Sequence, residues 1–443
     1  MPDDDETSSL LSRRQLLGLL GGGSAAVAGV SWFAPTWLPD PVTDTLTTLY
    51  PDPSSNYVWR PPVSDDHADE AVAALEDAVE LANELRSRID LDSVENDNLR
   101  VHLNRSPSGG HLESAKSGTR SNRERLHSTI SGLLFTGQAI GAAKVVLDEA
   151  DPEAVVERGR KLRRTTDDIA DSISEYRVSD AGRDLGYLYA IERRLMFARL
   201  ESHQGGIFTG GTADADEYDA HDIASTWGSH LQAKQYIRTA RHYRDQYQSN
   251  LGSQPTSHRS RIQNALDDFL AEIEEYPTRG EMRTNVEEEL GDDDRTPHGV
   301  AKFELYSLCY DNDFRVFENS LDRDLLVLRV VATGDALLKR RAHDFALSEL
   351  DVEQGDTDYD SGRSFRAKRR AMRQFRTTKD EYDSNFAGVV ANEAASFIRG
   401  GDVGLEMGDG PAWRDRVKSS VYSLIAEGML RNLGDVVEPL EQG

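Results

Sequence analysis

The chain has 443 residues, with 78 aspartates and glutamates against 51 lysines and arginines, a formal net charge of −27. A surface this acidic repels the phosphate backbone, so nucleic-acid binding through a basic face is excluded. The lone cysteine, Cys309, excludes an intramolecular disulfide framework and any cysteine-based zinc or iron–sulfur site, and its apolar setting (Tyr306-Ser307-Leu308-Cys309-Tyr310) predicts a packed thiol.

In chain order the first feature is Ser12-Arg13-Arg14-Gln15-Leu16-Leu17, which leads into an uncharged run ending at Leu38. A polar head, paired arginines, an apolar core and small residues form an export-type segment. It resembles a twin-arginine export signal, with Ser12, Arg13, Arg14, Leu16 and Leu17 at the motif positions. The resemblance implies a twin-arginine translocase as partner and a chain that folds before it crosses the membrane. Ala26-Val27-Ala28 offers a cleavage site. The 24 uncharged residues from Gln15, with Trp32 and Trp37 at the far end, favour a retained anchor instead. Only nine of the basic residues are lysine. High Asp and Glu with suppressed Lys resembles proteins of salt-loving archaea, whose carboxylate surfaces hold water and ions where salt screens charge.

Residues 39–63 carry Pro39, Pro41, Pro51, Pro53, Pro61 and Pro62 and predict a stiff, extended stalk. From Ser64 the texture is helical, with Val72, Leu75, Val79, Ala82, Leu85 and Ile89 on one stripe. Residues 91–118 read as a polar loop. A buried central helix follows from about 121 to 150, where Gly137-x-x-x-Gly141 predicts close approach of a neighbour. Asp151-Pro152 starts the next helix, which runs to about 176, and another covers 180–202. The Gly-rich, acidic stretch 204–221 reads as a domain boundary. Later helices are predicted at 222–250, 257–276, 281–290, 298–318, 321–350, 363–400 (broken near 378) and 411–433. Leu325 to Val331 is β-like in composition but sits among helical neighbours.

The domains expected are therefore a signal or anchor (1–38), a stalk (39–63), a helical subdomain (64–203), the acidic loop (204–221) and a second helical subdomain (222–443). The fold class is all-α, a multi-helix bundle or irregular helical array.

Two clusters are candidates for chemistry. Asp219, His221 and Asp222, with His230 beyond, are metal-ligand types near the acidic loop. No Glu-x-x-His or His-x-x-x-His pair frames them, so a solvated loop is the preferred reading. Between Arg363 and Arg376 there are seven basic residues and no acid. At helical spacing Arg366, Arg369, Arg370 and Arg373 share a face, a candidate anion site. Intramolecular pairing with the acidic remainder is the competing reading and is preferred. The usual hydrolase, phosphate-loop and zinc-protease motifs are missing. The sequence thus points to a tethered extracytoplasmic binding or scaffold protein with no cofactor. Its partners would be the membrane and an acidic surface polymer or protein. A metal-assisted enzyme and a small-molecule carrier are the alternatives.

Overall fold

Several of the long helices open on a side chain that satisfies a first free N–H group. Ser64 accepts from the His67 amide, and Asp151 from Ala154 just before Pro152. Asp180 accepts from Arg183, while Ser121 and Glu124 form a reciprocal capping box. The computed structural model describes residues 38–53, 58–202, 215, 218–291, 295–311, 314–315, 324–407 and 410–442. The export-signal residues Ser12, Arg13, Arg14, Leu16 and Leu17 lie outside them, as does most of the Gly-rich acidic stretch.

The fold is all-α. The first half contains α1 (Asp40–Leu49), α2 (Asp65–Ser87), α3 (Asp97–Asn104), α4 (His111–Lys116), α5 (Asn122–Val146), α6 (Pro152–Ile173), α7 (Ala181–Glu201) and α8 (Ala220–Asn250). The second contains α9 (Arg259–Ile273), α10 (Arg279–Leu290), α11 (Pro297–Cys309), α12 (Leu326–Glu349), α13 (Ser361–Glu381), α14 (Asn385–Met407), α15 (Ala412–Arg431) and α16 (Gly434–Glu441). The only strand pairing among the described residues is a two-residue antiparallel ladder, Arg177–Val178 against Thr256–Ser257. Leu325 to Val331 is helical from Leu326, because Val327, Val330 and Val331 are all buried in one core and tertiary packing outweighs β-propensity.

The helix α5 is long and apolar enough to cross a membrane by length and composition, yet most of its apolar stretch is buried inside the protein. A Cβ on Gly137 would lie 2.6 Å from the Gly228 Cα, so α5 and α8 approach backbone to backbone there. The small residues serve close packing within the fold, as the sequence predicted. Cys309 is fully buried, and burial pushes its thiol pKa up.

Three expectations are corrected. Residues 39–63 do not form an extended stalk: 40–49 are the helix α1, with Thr43, Thr47 and Tyr50 buried. Pro41 sits in the first turn of α1, where a missing N–H costs nothing. Asp40 and Asp44 of α1 hold Arg416 of α15 at 2.7 and 2.8 Å. Lys368 of α13, 1% exposed, donates to the Thr47 carbonyl at 2.9 Å and pairs with Asp52 and Asp402 at 3.3 and 2.5 Å. Second, the 91–118 loop contains α3 and α4, each with apolar residues turned inward (Leu99, Leu103, Ala115). Third, the loop at 204–221 does not divide the fold. α8 packs along α5 and α7, so it belongs to the first half and the division falls after it. One hydrophobic core runs through both halves, from Tyr50 to Leu440.

Candidate functional site

The predicted metal cluster does not assemble. Asp219 and Asp222 are spent on each other as the capping box of α8. The His221 ring stacks on His102 of α3 at 6.0 Å, and His230 is buried farther along α8, facing Gly159 of α6. No group of three or more His, Cys, Asp or Glu able to hold a metal exists among the described residues.

The basic stretch lies on α13 and is largely absorbed by the fold. Arg370 pairs with Glu349 of α12 at 2.5 Å and with Glu427 of α15, 3% exposed, at 3.0 Å. Arg363 reaches Asp351, and Lys368 is the buried cation described above. Arg369 is half-buried, while Arg366 and Arg373 remain exposed. The four-arginine face is thereby corrected: Arg370 is turned to internal acids. Pairing wins because a basic helix laid on an acidic chain finds carboxylates nearer than any ligand.

A different arginine cluster is built by the fold. It lies in a cleft of 370 Å³ among α5, α7, α8, α14 and the segment before α2. Arg60, Arg123, Arg193 and Arg194 line it, together with Trp59, Tyr189, Phe197, Tyr236 and Tyr243. No carboxylate among the described residues lines it.

Each side chain has a local reason for its position. Arg123 follows the Ser121 cap in the first turn of α5. Its Nη2 donates to the carbonyls of Arg60 (3.1 Å) and Pro61 (2.8 Å), tying that segment to the cleft wall. Trp59 meets Tyr187 edge-on at 5.1 Å and lies against Gly186, where a Cβ would come within 2.9 Å of the indole. Arg193 and Arg194 are neighbours on α7, with Phe197 one turn on. Phe197 stacks on Tyr236 of α8 at 5.3 Å. The Arg194 guanidinium lies 5.7 Å over the Tyr236 ring, and Arg193 lies 5.9 Å over Phe197. These are weak cation–π contacts that hold the guanidinium planes without neutralising them. From α14 comes Asn392, whose Oδ1 is buried without a hydrogen-bond partner among the described residues.

The electrostatics follow. Burial first, then the nearby charges of Arg123, Arg193, Arg399 and Arg194, push the Arg60 pKa down. Burial likewise pushes Arg123 down, reinforced by Arg194. The four arginines remain cationic, at a cost in mutual repulsion that an anion would relieve. None of them makes an ion pair among the described residues, although the chain holds a large excess of carboxylates. The arrangement can bind a carboxylate, phosphate or sulfonate through planar N–H forks and can sandwich an apolar or aromatic body between rings.

Sequence reading missed these four arginines. Arg60 lies among prolines, Arg123 among helix-start residues and Arg193-Arg194 on an amphipathic helix. Nothing in their spacing signals convergence; the adjacent pair on α7 was the one local cue.

Residues 66–254 match a family model described as a domain of unknown function (DUF8262), and residues 259–442 match a second described the same way (DUF8264). The two matches meet just after α8, where the packing also divides the halves. The cleft takes residues from both matched regions and from the segment before the first. No curated protein and no solved structure matches the chain.

Proposed function

We propose that the protein is a non-enzymatic binding protein of the cell envelope, exported through its paired arginines Arg13 and Arg14 and held at the membrane by its N-terminal segment. Its binding site is the arginine and aromatic cleft, and its ligand is an organic anion with an apolar body. This narrows the acidic partner expected from the sequence to a compound that a 370 Å³ cleft accepts. The observation that carries the reading is the convergence of four guanidinium groups without a carboxylate partner among the described residues, in a chain of net charge −27. Ligand sites are commonly concave and largely apolar, with a few charged groups that orient the ligand. The metal-assisted alternative finds no ligand set among the described residues.

The test is calorimetric titration with N-acetyl-phenylalanyl-phenylalanine, an aromatic carboxylate with no positive charge. The native protein should bind it, and Arg193→Gln/Arg194→Gln should weaken binding about tenfold or more with an unchanged melting temperature. Absence of binding, or equal binding by the double variant, refutes the site. Fractionation of cells carrying Arg13→Lys/Arg14→Lys tests placement: a variant that still reaches the envelope refutes the export step.

A further inference from the structure

Beside the arginine cleft lies a second cavity, also of 370 Å³, lined by three acids and two cations. Tyr189, Arg193 and Phe197 line both, so the two spaces share one stripe of α7 as a border. Asp335 of α12, Glu393 of α14 and Asp311 also line the second cavity. Lys339, one turn beyond Asp335, pairs with Asp311 at 2.8 Å and with Glu393 at 3.2 Å. Three carboxylates thus share one lysine, and the lysine serves two of them.

Asp335 is the one left over. Its Oδ1 is buried with no hydrogen-bond partner among the described residues. The cavity lining supplies apolar Leu328, Val331, Ala332 and Met196, and its donor-bearing residues Tyr189, Arg193 and Lys339 make no hydrogen bond to this oxygen. A buried acceptor without a donor is costly, and the group is worth explaining. The charged groups that face it are Glu393 from α14, Asp311, Lys339 on its own helix and Arg193 from α7. Burial, then Glu393, raises its pKa well above the usual carboxylate range. Tyr189 sits at the junction, feeling Arg193 and Arg60 on one side and Asp335 and Glu393 on the other.

We propose that the two cavities form one bipolar site for a zwitterionic aromatic compound, with its anionic group at the arginines and its ammonium group at Asp335. The inference rests on the binding role proposed above and adds to it the second charge of the ligand. An ammonium group brings three donors to an Asp335 Oδ1 that has none, and a further positive charge to a cluster of three acids faced by Lys339 and Arg193. Phe197, shared by the two cavities, offers a ring surface to the ligand body between its ends. In this reading Asp335 touches the ligand directly, whereas Lys339 keeps Asp311 and Glu393 from competing for it.

The experiment compares three forms of one peptide on the full chain: free phenylalanyl-phenylalanine, its N-acetyl derivative and its C-terminal amide. The free form should bind about tenfold tighter than the acetylated form, the gain of one charge-assisted hydrogen bond. The amide should bind weakest, having lost the arginine contact. Asp335→Asn, which keeps shape but cannot ionise to meet an ammonium group, should abolish the preference for the free amine and leave binding of the acetylated peptide unchanged. That unchanged binding also shows that the variant is folded. If the acetylated peptide binds through Arg193 and Arg194 but the free amine adds nothing, the bipolar site is wrong and the anion site stands. A preference for the free amine that survives in Asp335→Asn also overturns it. Binding of none of the three overturns both readings.

Discussion

Glu192 of α7 is fully buried, and one substitution tests the structure's account of it. Its Oε1 lies 2.6 Å from the Tyr176 hydroxyl, and its Oε2 accepts from the Leu328 amide at 2.6 Å. The Tyr176 hydroxyl lies equally close, 2.6 Å, to the Asp324 carbonyl, and accepts from the Leu326 amide at 3.1 Å. A phenol has a single proton to donate, so two acceptors at that distance cannot both be served by it. A protonated Glu192 resolves the count: it donates to Tyr176, which donates to Asp324. Burial accordingly raises the Glu192 pKa from 4.5 to about 8, with Tyr176 and the Leu328 amide opposing the rise. The sign of the linkage follows from a raised carboxyl pKa. The contribution to stability is full below pH 4.5, where both states hold the proton, and is lost as pH rises to about 8. At about 1.4 kcal/mol per pH unit, that interval amounts to roughly 5 kcal/mol. Glu192→Gln keeps a donor for Tyr176 and an acceptor for Leu328 but cannot ionise. Urea unfolding at about pH 5 and about pH 8.5, in one fixed high salt concentration, should show the variant losing several kcal/mol less than the native protein between the two values. Parallel losses in the two proteins would refute the protonated network, as would a large destabilisation of the variant at both pH values.

Four further outcomes follow from the packing and the ion pairs. Gly137→Ala, which forces a methyl into the α5–α8 contact, should cost about 1–3 kcal/mol or more in urea unfolding. Arg370→Glu should destabilise by about 1–3 kcal/mol because it sets a like charge beside buried Glu427, whose remaining partner is Arg431 at 2.7 Å, whereas exposed Arg373→Glu should stay within about 0.5 kcal/mol; thermal melts of the pair check the contrast. Lys368→Met should strip Asp402 and the Thr47 carbonyl of their partner and expose residues 38–53 to limited proteolysis, visible as an early cut near α1. His67 stacks on His242 at 4.3 Å, and burial, then that neighbour, lowers its pKa from 6.5 to about 4. Its stabilising contribution is present above pH 6.5 and lost as pH falls through 4, and an imidazole NMR titration should find the ring neutral at pH 5.

What the chain showed in advance was local. Ser64, Ser121, Asp151 and Asp180 each mark a helix start, and the structure has helices at those places because a cap acts on the next three amides alone. The small residues at 137 and 141 announced a close neighbour on the same grounds. What stayed hidden was pairing across sequence distance. Asp40 and Asp44 look like ordinary acids in a proline-rich stretch until Arg416 arrives, 372 residues after Asp44. The basic run on α13 looked like a ligand surface because Glu349 and Glu427, its partners, are not its neighbours in the chain. The candidate site failed to show for the same reason: Arg60, Arg123 and Arg193 come from three segments, and only the crossing of α5, α7 and α8 sets them around one space.

The clasp of α1 by α13 and α15 has a consequence for how the molecule is made. A polypeptide emerges from the ribosome N-terminal end first, so α1 waits without Lys368 and Arg416, which follow Thr47 by 321 residues and Asp44 by 372. Earlier helices can pair as they appear, α2 with α5 and then α5 with α8. This interlock, however, joins segments made more than 300 residues apart. A nascent chain stalled before residue 368 therefore carries α1 without its clasp, and synthesis of α13 and α15 is what fastens it.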